Sequence, residues 1–247
     1  MSNRSIHTLL KSWDEECPLT REEAVEVLNL PEEEMDSLME CAYALRTKYK
    51  GKKVSVQLLT NVRSGNCTQN CAYCAQSKDS QAEIEKYKRV SDEKLYGDND
   101  LVDEKHLARH CIGLSGIGFS DEEIEDLADR IREMKKKDTQ ICCSIGFLTE
   151  KQARILKDAG LDRINHNLNS SRSFYPEICT THTYDQRVNN IKMLQSLGFE
   201  ICSGGIVGMG ESKEDIVDML MDLREINPES VPINFLLPIP GTRLADR

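Results

Sequence analysis

From residue 54 onward, short runs of β-branched and apolar residues alternate with amphipathic helical stretches that carry their own start and stop signals. This alternation calls for a parallel sheet whose strands are joined by crossover helices, an α/β architecture. Six runs read as strands: 54–60, 109–115, 140–145, 163–168, 200–207 and 231–237. The helices between them are punctuated clearly. Ser120 with Glu123, Thr149 with Gln152 and Thr183 with Gln186 have capping-box spacing, and Ser212 caps a fourth helix. Gly160 and Gly198 end two of these helices, and Lys135, Lys136 and Lys137 sit where a helix dipole favours cations.

No glycine-rich dinucleotide fingerprint follows the first strand, so a TIM-type (β/α) barrel with about six βα units is expected rather than a doubly wound sheet. A closed eight-stranded barrel takes about 250 residues by itself. This chain has 247 and ends at Arg247, soon after the sixth strand, so the barrel is expected to be incomplete or truncated. Residues 1–50 are expected to form a helical lead-in and 51–247 the barrel domain. Thr20 reads as an N-cap, Pro31 opens a second helix, and Leu38, Ala42 and Leu45 give that helix one apolar stripe to dock elsewhere. Gly97-Asp98-Asn99-Asp100 interrupts what should be the first crossover helix, which leaves 75–107 without a clear element.

A net charge of −10 argues against a nucleic-acid or anionic-membrane partner, because phosphates call for a basic face. No apolar run approaches a membrane span, and the first residues hold no signal-peptide core, so a cytoplasmic location is expected. There thiols stay reduced, and the ten cysteines of this chain invite a reading as metal or redox ligands.

Cys67, Cys71 and Cys74 form a C-x3-C-x2-C within one loop. Three thiolates in eight residues can converge on one metal centre and leave a coordination position free. A zinc site would pair two C-x2-C knuckles or add histidine, and no second knuckle follows. An open-iron 4Fe-4S cluster suits the spacing better than a set of buried thiols, because the loop is polar.

Strand alternation yields a second set, since side chains i and i+2 share a face. With Ile112 and Leu114 turned toward the helices, Cys111, Gly113 and Ser115 face the barrel interior. By the same count Cys142 and Ser144 face inward, opposite Ile141, Cys143 and Ile145. Asn165, Asn167 and Asn169 face inward, opposite Ile164, His166 and Leu168. Cys202, Gly204 and Asn234 complete the inward set, with Ile233 and Phe235 outward. Polar groups in a barrel interior need partners, and a second metal cluster with a polar ligand would supply them; the other reading, open because a strand face slips with a one-residue shift, makes Cys111, Cys142 and Cys202 separate small core residues. Cys17, Cys41, Cys143 and Cys179 read as ordinary thiols, and His166 as a satisfied core histidine. Two readings fit Gly204–Gly210, an anion cradle or a tight βα turn. Two also fit Arg187, a carboxylate clamp or a surface pair.

The cysteine loop with Tyr73 before its last cysteine resembles the radical S-adenosylmethionine (SAM) superfamily. More narrowly, Ser64-Gly65-Asn66-Cys67, Cys74-Ala75-Gln76-Ser77, Asn165-His166-Asn167-Leu168, Cys202–Gly208 and Ser230–Asn234 resemble the biotin synthases in that family's order. The resemblance implies a 4Fe-4S cluster on Cys67, Cys71 and Cys74 that binds and reductively cleaves SAM. The resulting 5′-deoxyadenosyl radical would act on dethiobiotin, and an auxiliary iron-sulfur cluster on Cys111, Cys142 and Cys202 would donate sulfur. It also implies Tyr73, Asn167, Asn169 and Arg187 as SAM contacts, and Asn165, Asn167 and Asn234 as dethiobiotin contacts. A flavodoxin or ferredoxin electron donor and a homodimer are implied by the family alone.

Three features depart from the family pattern. Asn169 replaces a frequent acidic contact to the ribose. The last two strands, with an arginine that completes the auxiliary site in many members, would lie beyond Arg247. Cys142-Cys143 and His110-Cys111 are unusual neighbours, so the auxiliary cluster type stays open. The rival readings are a sister enzyme, of the hydrogenase-maturase or methylornithine-synthase kind, and a structural zinc protein.

Overall fold

The computed structural model describes residues 19–246. Cys17, one of the thiols expected to be ordinary, lies outside them. Two helices lead in, α1 (Arg21–Leu28) and α2 (Met35–Lys50), separated by a 3-10 turn at Glu32–Glu34. Thr20 caps α1 in a capping box with Glu23. α1 lies against a later helix, with Arg21 Nε bonded to Asp218 at 2.5 Å and the Leu19 carbonyl accepting from Arg224 at 2.7 Å. No residue of α2 is buried, and its Leu38, Ala42 and Leu45 stripe is left part-exposed by the described residues.

The remainder alternates strand and helix. The elements are β1 (Gln57–Arg63), α3 (Asp92–Glu104), β2 (Arg109–Leu114), α4 (Asp121–Met134), β3 (Ile141–Ser144), α5 (Glu150–Asp158), β4 (Arg163–Asn165), α6 (Tyr175–Ile178), α7 (Tyr184–Ser196), β5 (Glu200–Cys202), β6 (Gly205–Val207), α8 (Lys213–Ile226) and β7 (Ile233–Phe235). β1 to β5 form one parallel sheet in chain order, and β6 pairs in parallel with β7. Isolated bridges from Asn169 to Gly205 and from Cys202 to Ser230 tie the two ladders together.

Two expectations change in detail. The first strand is 57–63 rather than 54–60, and the run 200–207 is divided at Ser203-Gly204. The division has a steric origin. A Cβ on Gly204 would sit 1.8 Å from the Pro232 carbonyl oxygen, and one on Gly205 would sit 2.1 Å from Met219 Sδ. The backbone passes this point only because two glycines let neighbouring chain come so close.

The third change concerns the first crossover. α3 runs straight through Gly97-Asp98-Asn99-Asp100, capped by Ser91. Weak helix formers are retained because two of them are buried and bonded to the sheet, so tertiary contacts override propensity. Asp98 Oδ2 accepts from Thr60 at 2.7 Å, and Asn99 Oδ1 lies 3.1 Å from His110 Nδ1. His110 Nε2 lies 2.8 Å from the same Thr60 hydroxyl. This network fastens α3 behind β1 and β2, with His110 wholly buried.

The core lies between the helices and the outward strand faces. Ile112, Ile141, Cys143, Ile164 and Ile201 from the sheet meet Ile124, Ile131, Leu156, Ile191 and Leu194 from the helices, all fully buried. Each isoleucine or leucine among them contributes roughly 1.5–3 kcal/mol on burial. The inward faces are left for other work. Among the described residues β1 and β7 each pair with a single neighbouring strand, and Leu59, Phe235 and Leu237 are 70%, 81% and 78% exposed.

Candidate active site

The cysteine loop follows β1 directly. It turns through Gly65 and Asn66, at φ 72° and 55°, and is pinned where the Gly65 amide donates to Gln76 Oε1 at 2.7 Å. The Ala72 amide donates to the Ile178 carbonyl at 2.8 Å, and the Lys78 amide to the Gln69 carbonyl at 2.8 Å. Cys67, Cys71 and Cys74 are all part-buried and line one cavity of about 280 Å³. Tyr73, Asn165, Asn167, Asn169, Arg187 and Asn234 line the same cavity. Every residue expected to touch SAM or dethiobiotin therefore meets the loop cysteines in one place.

The three loop sulfurs do not come close enough to one another for a single ion. Among the described residues only Cys71, Cys179 and His182 bring ligand atoms within 4.8 Å of each other. That spread, with three thiolate donors on one polar loop, fits a group larger than one metal ion and counts against a structural zinc site on this loop. Contact with Cys179 and burial push the Cys71 thiol well up, and burial raises Cys74. Bound metal would reverse this by deprotonating the ligands.

The strand cysteines are set by register. Cys111 lies opposite Cys142, and Asn165 opposite Cys202. Cys202 is thus one layer nearer the C-terminal ends of the strands, level with Ser144. Hydrogen bonding with Cys142, helped by the guanidinium groups of Arg109 and Arg163, draws the Cys111 thiol down. The same contact, burial and the nearby Cys111 and Cys202 push Cys142 up. Cys111 Sγ also lies 2.9 Å from Gln57 Oε1. None of these three lines the cavity itself. Asn165 bridges the two zones: it lines the cavity, and its Nδ2 donates to Cys202 Sγ at 3.2 Å.

Arg187 is no surface pair. Its Nε donates to Tyr175 Oη at 2.5 Å, Nη1 to the Asn167 carbonyl at 3.0 Å and Nη2 to His182 Nε2 at 2.8 Å. These bonds hold the guanidinium plane at the cavity wall, where its remaining protons suit an anionic ligand. Asn169 adopts φ 73°, and its backbone bridges Gly204 and Ile206. The Gly204–Gly210 run is internally engaged, because Glu211 accepts from the Gly208 and Met209 amides at 2.5 and 2.7 Å. That carboxylate occupies amides an anion would need, which favours the tight turn.

His166 is buried, as expected, but neither ring nitrogen has a hydrogen-bond partner among the described residues. It packs edge-on against Phe147 with centroids 5.1 Å apart and lines the cavity. Burial, with Arg187 nearby, holds it neutral with a pKa of about 3. Cys179, expected to be an ordinary thiol, lies 3.8 Å from Cys71 Sγ, with His182 Nδ1 at 3.3 Å. Sequence reasoning missed both residues. They lie in the polar segment Cys179-Thr180-Thr181-His182 between two helices, the kind of setting that marked the loop cysteines.

A family model for the radical SAM superfamily matches residues 61–223, which places this chain in that superfamily. Its curated relatives narrow the class. The chain is 42% identical to a biotin synthase of Geobacillus kaustophilus (strain HTA426) over 228 residues, 92% of this chain and 68% of the relative. It is 40% identical to a biotin synthase of Bacillus subtilis (strain 168) over 227 residues, again 92% and 68%. Within the superfamily it belongs to the biotin synthase family.

Solved structures with the same fold include methylornithine synthase, with a TM-score of 0.85 at 17% identity, covering 98% of this chain and 70% of that one. The [FeFe]-hydrogenase maturase HydG from Carboxydothermus hydrogenoformans follows at a TM-score of 0.78 and 18% identity, covering 96% and 58%. At that identity the two share the fold alone, so the sister-enzyme readings gain no support beyond architecture. No helix among the described residues is long and apolar enough to cross a membrane.

Proposed function

We propose that this chain inserts sulfur into dethiobiotin to form biotin, with SAM as the radical source. The observation that carries the reading is Asn165, whose amide lines the cavity shared with the loop cysteines and also bonds to Cys202 of the strand set. A substrate held by Asn165 would lie between the two thiol groups, as a reaction that takes a radical from one side and sulfur from the other requires.

On this reading Cys67, Cys71 and Cys74 hold a 4Fe-4S cluster, which supplies the electron for SAM cleavage. Cys111, Cys142 and Cys202 hold an auxiliary iron-sulfur cluster, which supplies the sulfur. Arg187 fixes the SAM carboxylate, since its plane is locked by Tyr175, Asn167 and His182. The backbone beside Tyr73 faces the adenine, and Asn167 and Asn169 complete the cofactor contacts. Asn165, Asn167 and Asn234 offer amides to the ureido ring of dethiobiotin. Neutral His166, held edge-on by Phe147 behind it, gives that part of the cavity wall an uncharged surface beside the radical. A flavodoxin-like or ferredoxin-like donor and a homodimer complete the reading, and a cytoplasmic enzyme is in keeping with both.

The test is anaerobic reconstitution with iron and sulfide, followed by assay with SAM and dethiobiotin. Formation of 5′-deoxyadenosine together with biotin is expected. SAM cleavage that never converts dethiobiotin would point to another radical SAM reaction.

A further inference from the structure

Cys179 belongs to neither thiol set, yet its Sγ touches that of a loop cysteine, Cys71. Asn70 anchors the Cys179 segment through Thr180 and Thr181. The Asn70 amide donates to Thr181 Oγ1 at 3.2 Å, its Nδ2 to Thr180 Oγ1 at 2.7 Å, and its Oδ1 accepts from the Thr180 amide at 3.0 Å. Cys179 is 2% exposed, and in the metal-free chain its Sγ accepts from the Cys71 thiol at 3.8 Å, a direction that can hold only while Cys71 keeps its proton.

The direction of the hydrogen bonds around it follows from Arg187. A guanidinium can only donate, so His182 Nε2, 2.8 Å from Nη2, is an acceptor. The ring proton then sits on Nδ1, facing Gln69 Oε1 at 2.9 Å and Cys179 Sγ at 3.3 Å. Because His182 directs a donor at Cys179, the Cys179 S–H is free to point elsewhere. Three acceptors lie within reach. Asn70 Oδ1, at 3.5 Å, already takes protons from the Thr180 amide and Thr181 Oγ1. Thr181 Oγ1, also at 3.5 Å, already takes the Asn70 amide. Cys71 Sγ has no other donor among the described residues, and as an iron-bound thiolate it would be purely an acceptor.

The same three side chains are spaced closely enough for a single metal ion. An ion on Nδ1 would force the ring proton onto Nε2, against Arg187 Nη2 at 2.8 Å, so the arrangement favours a hydrogen-bond relay over an ion site. We propose that Cys179 is a positioning residue for the loop cluster: its S–H donates to Cys71 Sγ and raises the reduction potential of that cluster. The proposal rests on the reading that Cys67, Cys71 and Cys74 hold a 4Fe-4S cluster. A hydrogen bond to a ligating sulfur draws negative charge from the cluster and so favours its reduced, more negative state.

The experiment is a redox titration of the reduced four-iron signal by electron paramagnetic resonance in reconstituted wild type, Cys179→Ala and Cys179→Ser. Iron and sulfide are counted on each sample. The midpoint is expected to shift downward in Cys179→Ala and to stay at or above wild type in Cys179→Ser, which keeps a donor. An unchanged midpoint in Cys179→Ala at equal iron and sulfide content overturns the proposal alone. If Cys179→Ala takes up no cluster, a Cys179→Ser midpoint below wild type overturns it instead. A wild-type chain that takes up no four-iron cluster overturns both the proposal and the reading beneath it.

Discussion

The two cysteine sets reach one side of the same sheet by different means. Cys67, Cys71 and Cys74 are held by eight consecutive residues whose backbone is turned by Gly65 and Asn66 and pinned by Gln76 and Ile178. Cys111, Cys142 and Cys202 are separated by whole βα units and meet only because β2 to β5 pair in register. A site written into a loop depends on local chain geometry. A site written across strands depends on the entire sheet, and every contact behind that sheet becomes part of it.

The sharpest way to break this comparison is to remove one thiol from each set. Cys74→Ala is expected to lose the iron of the loop site and to bring SAM cleavage down to background. Cys142→Ala should keep that iron and continue to cleave SAM, while losing the remaining iron and sulfide and all biotin formation. Metal and sulfide analysis beside both product assays checks the pair, and equal losses in the two variants would dissolve the distinction.

Next in size is Arg187→Met. It leaves Tyr175 Oη, the Asn167 carbonyl and His182 Nε2 without their donor and should destabilise the metal-free chain by about 3 kcal/mol, read by urea unfolding. A loss as small as that of a surface ion pair would mean the loop side is less rigidly backed than its hydrogen bonds indicate.

The strand set carries a pH dependence through its backing. Burial holds His110, the residue before Cys111, down to about 4, against about 6.5 for an unfolded histidine. Between those values the unfolded chain binds a proton that the folded chain refuses, so this contribution is complete above pH 6.5 and is lost as the pH falls toward 4. His110→Gln is expected to flatten stability against pH across that window, and an unaltered slope would count against the assignment.

The smallest effect belongs to Asn169→Asp. Asn and Asp both tolerate the left-handed backbone at φ 73°, so stability should stay within about 0.5 kcal/mol of wild type. SAM affinity is expected to rise, because a carboxylate offers the ribose a stronger acceptor, and calorimetry would show a weaker or unchanged affinity if Asn169 does not face it.

How much of this was legible in the sequence follows from the same contrast. The loop motif is contiguous and needs no fold to be read. The strand set was legible because a period of two survives any bend that keeps the ladder. Boundaries were less so: β1 lies three residues later than expected, and 200–207 divides where Gly204 meets Pro232, a contact between segments distant in sequence. α3 looked broken because Asp98 and Asn99 are poor helix formers, and only their bonds to Thr60 and His110 explain the helix. Cys179 stayed hidden because its partner Cys71 lies 108 residues away and the two share no element.

The exposed rims of the sheet bear on how the chain behaves in a test tube. β1 and β7 each offer a flank that no other described strand occupies, beside Val54, Val56 and Leu59 at one end and Ile233, Phe235 and Leu237 at the other. A bare strand flank next to greasy side chains is a template on which a second molecule can add its own strand. Clumping during expression would therefore start at these rims, and a charged residue in place of Phe235 is the simplest remedy, leaving both thiol sets untouched.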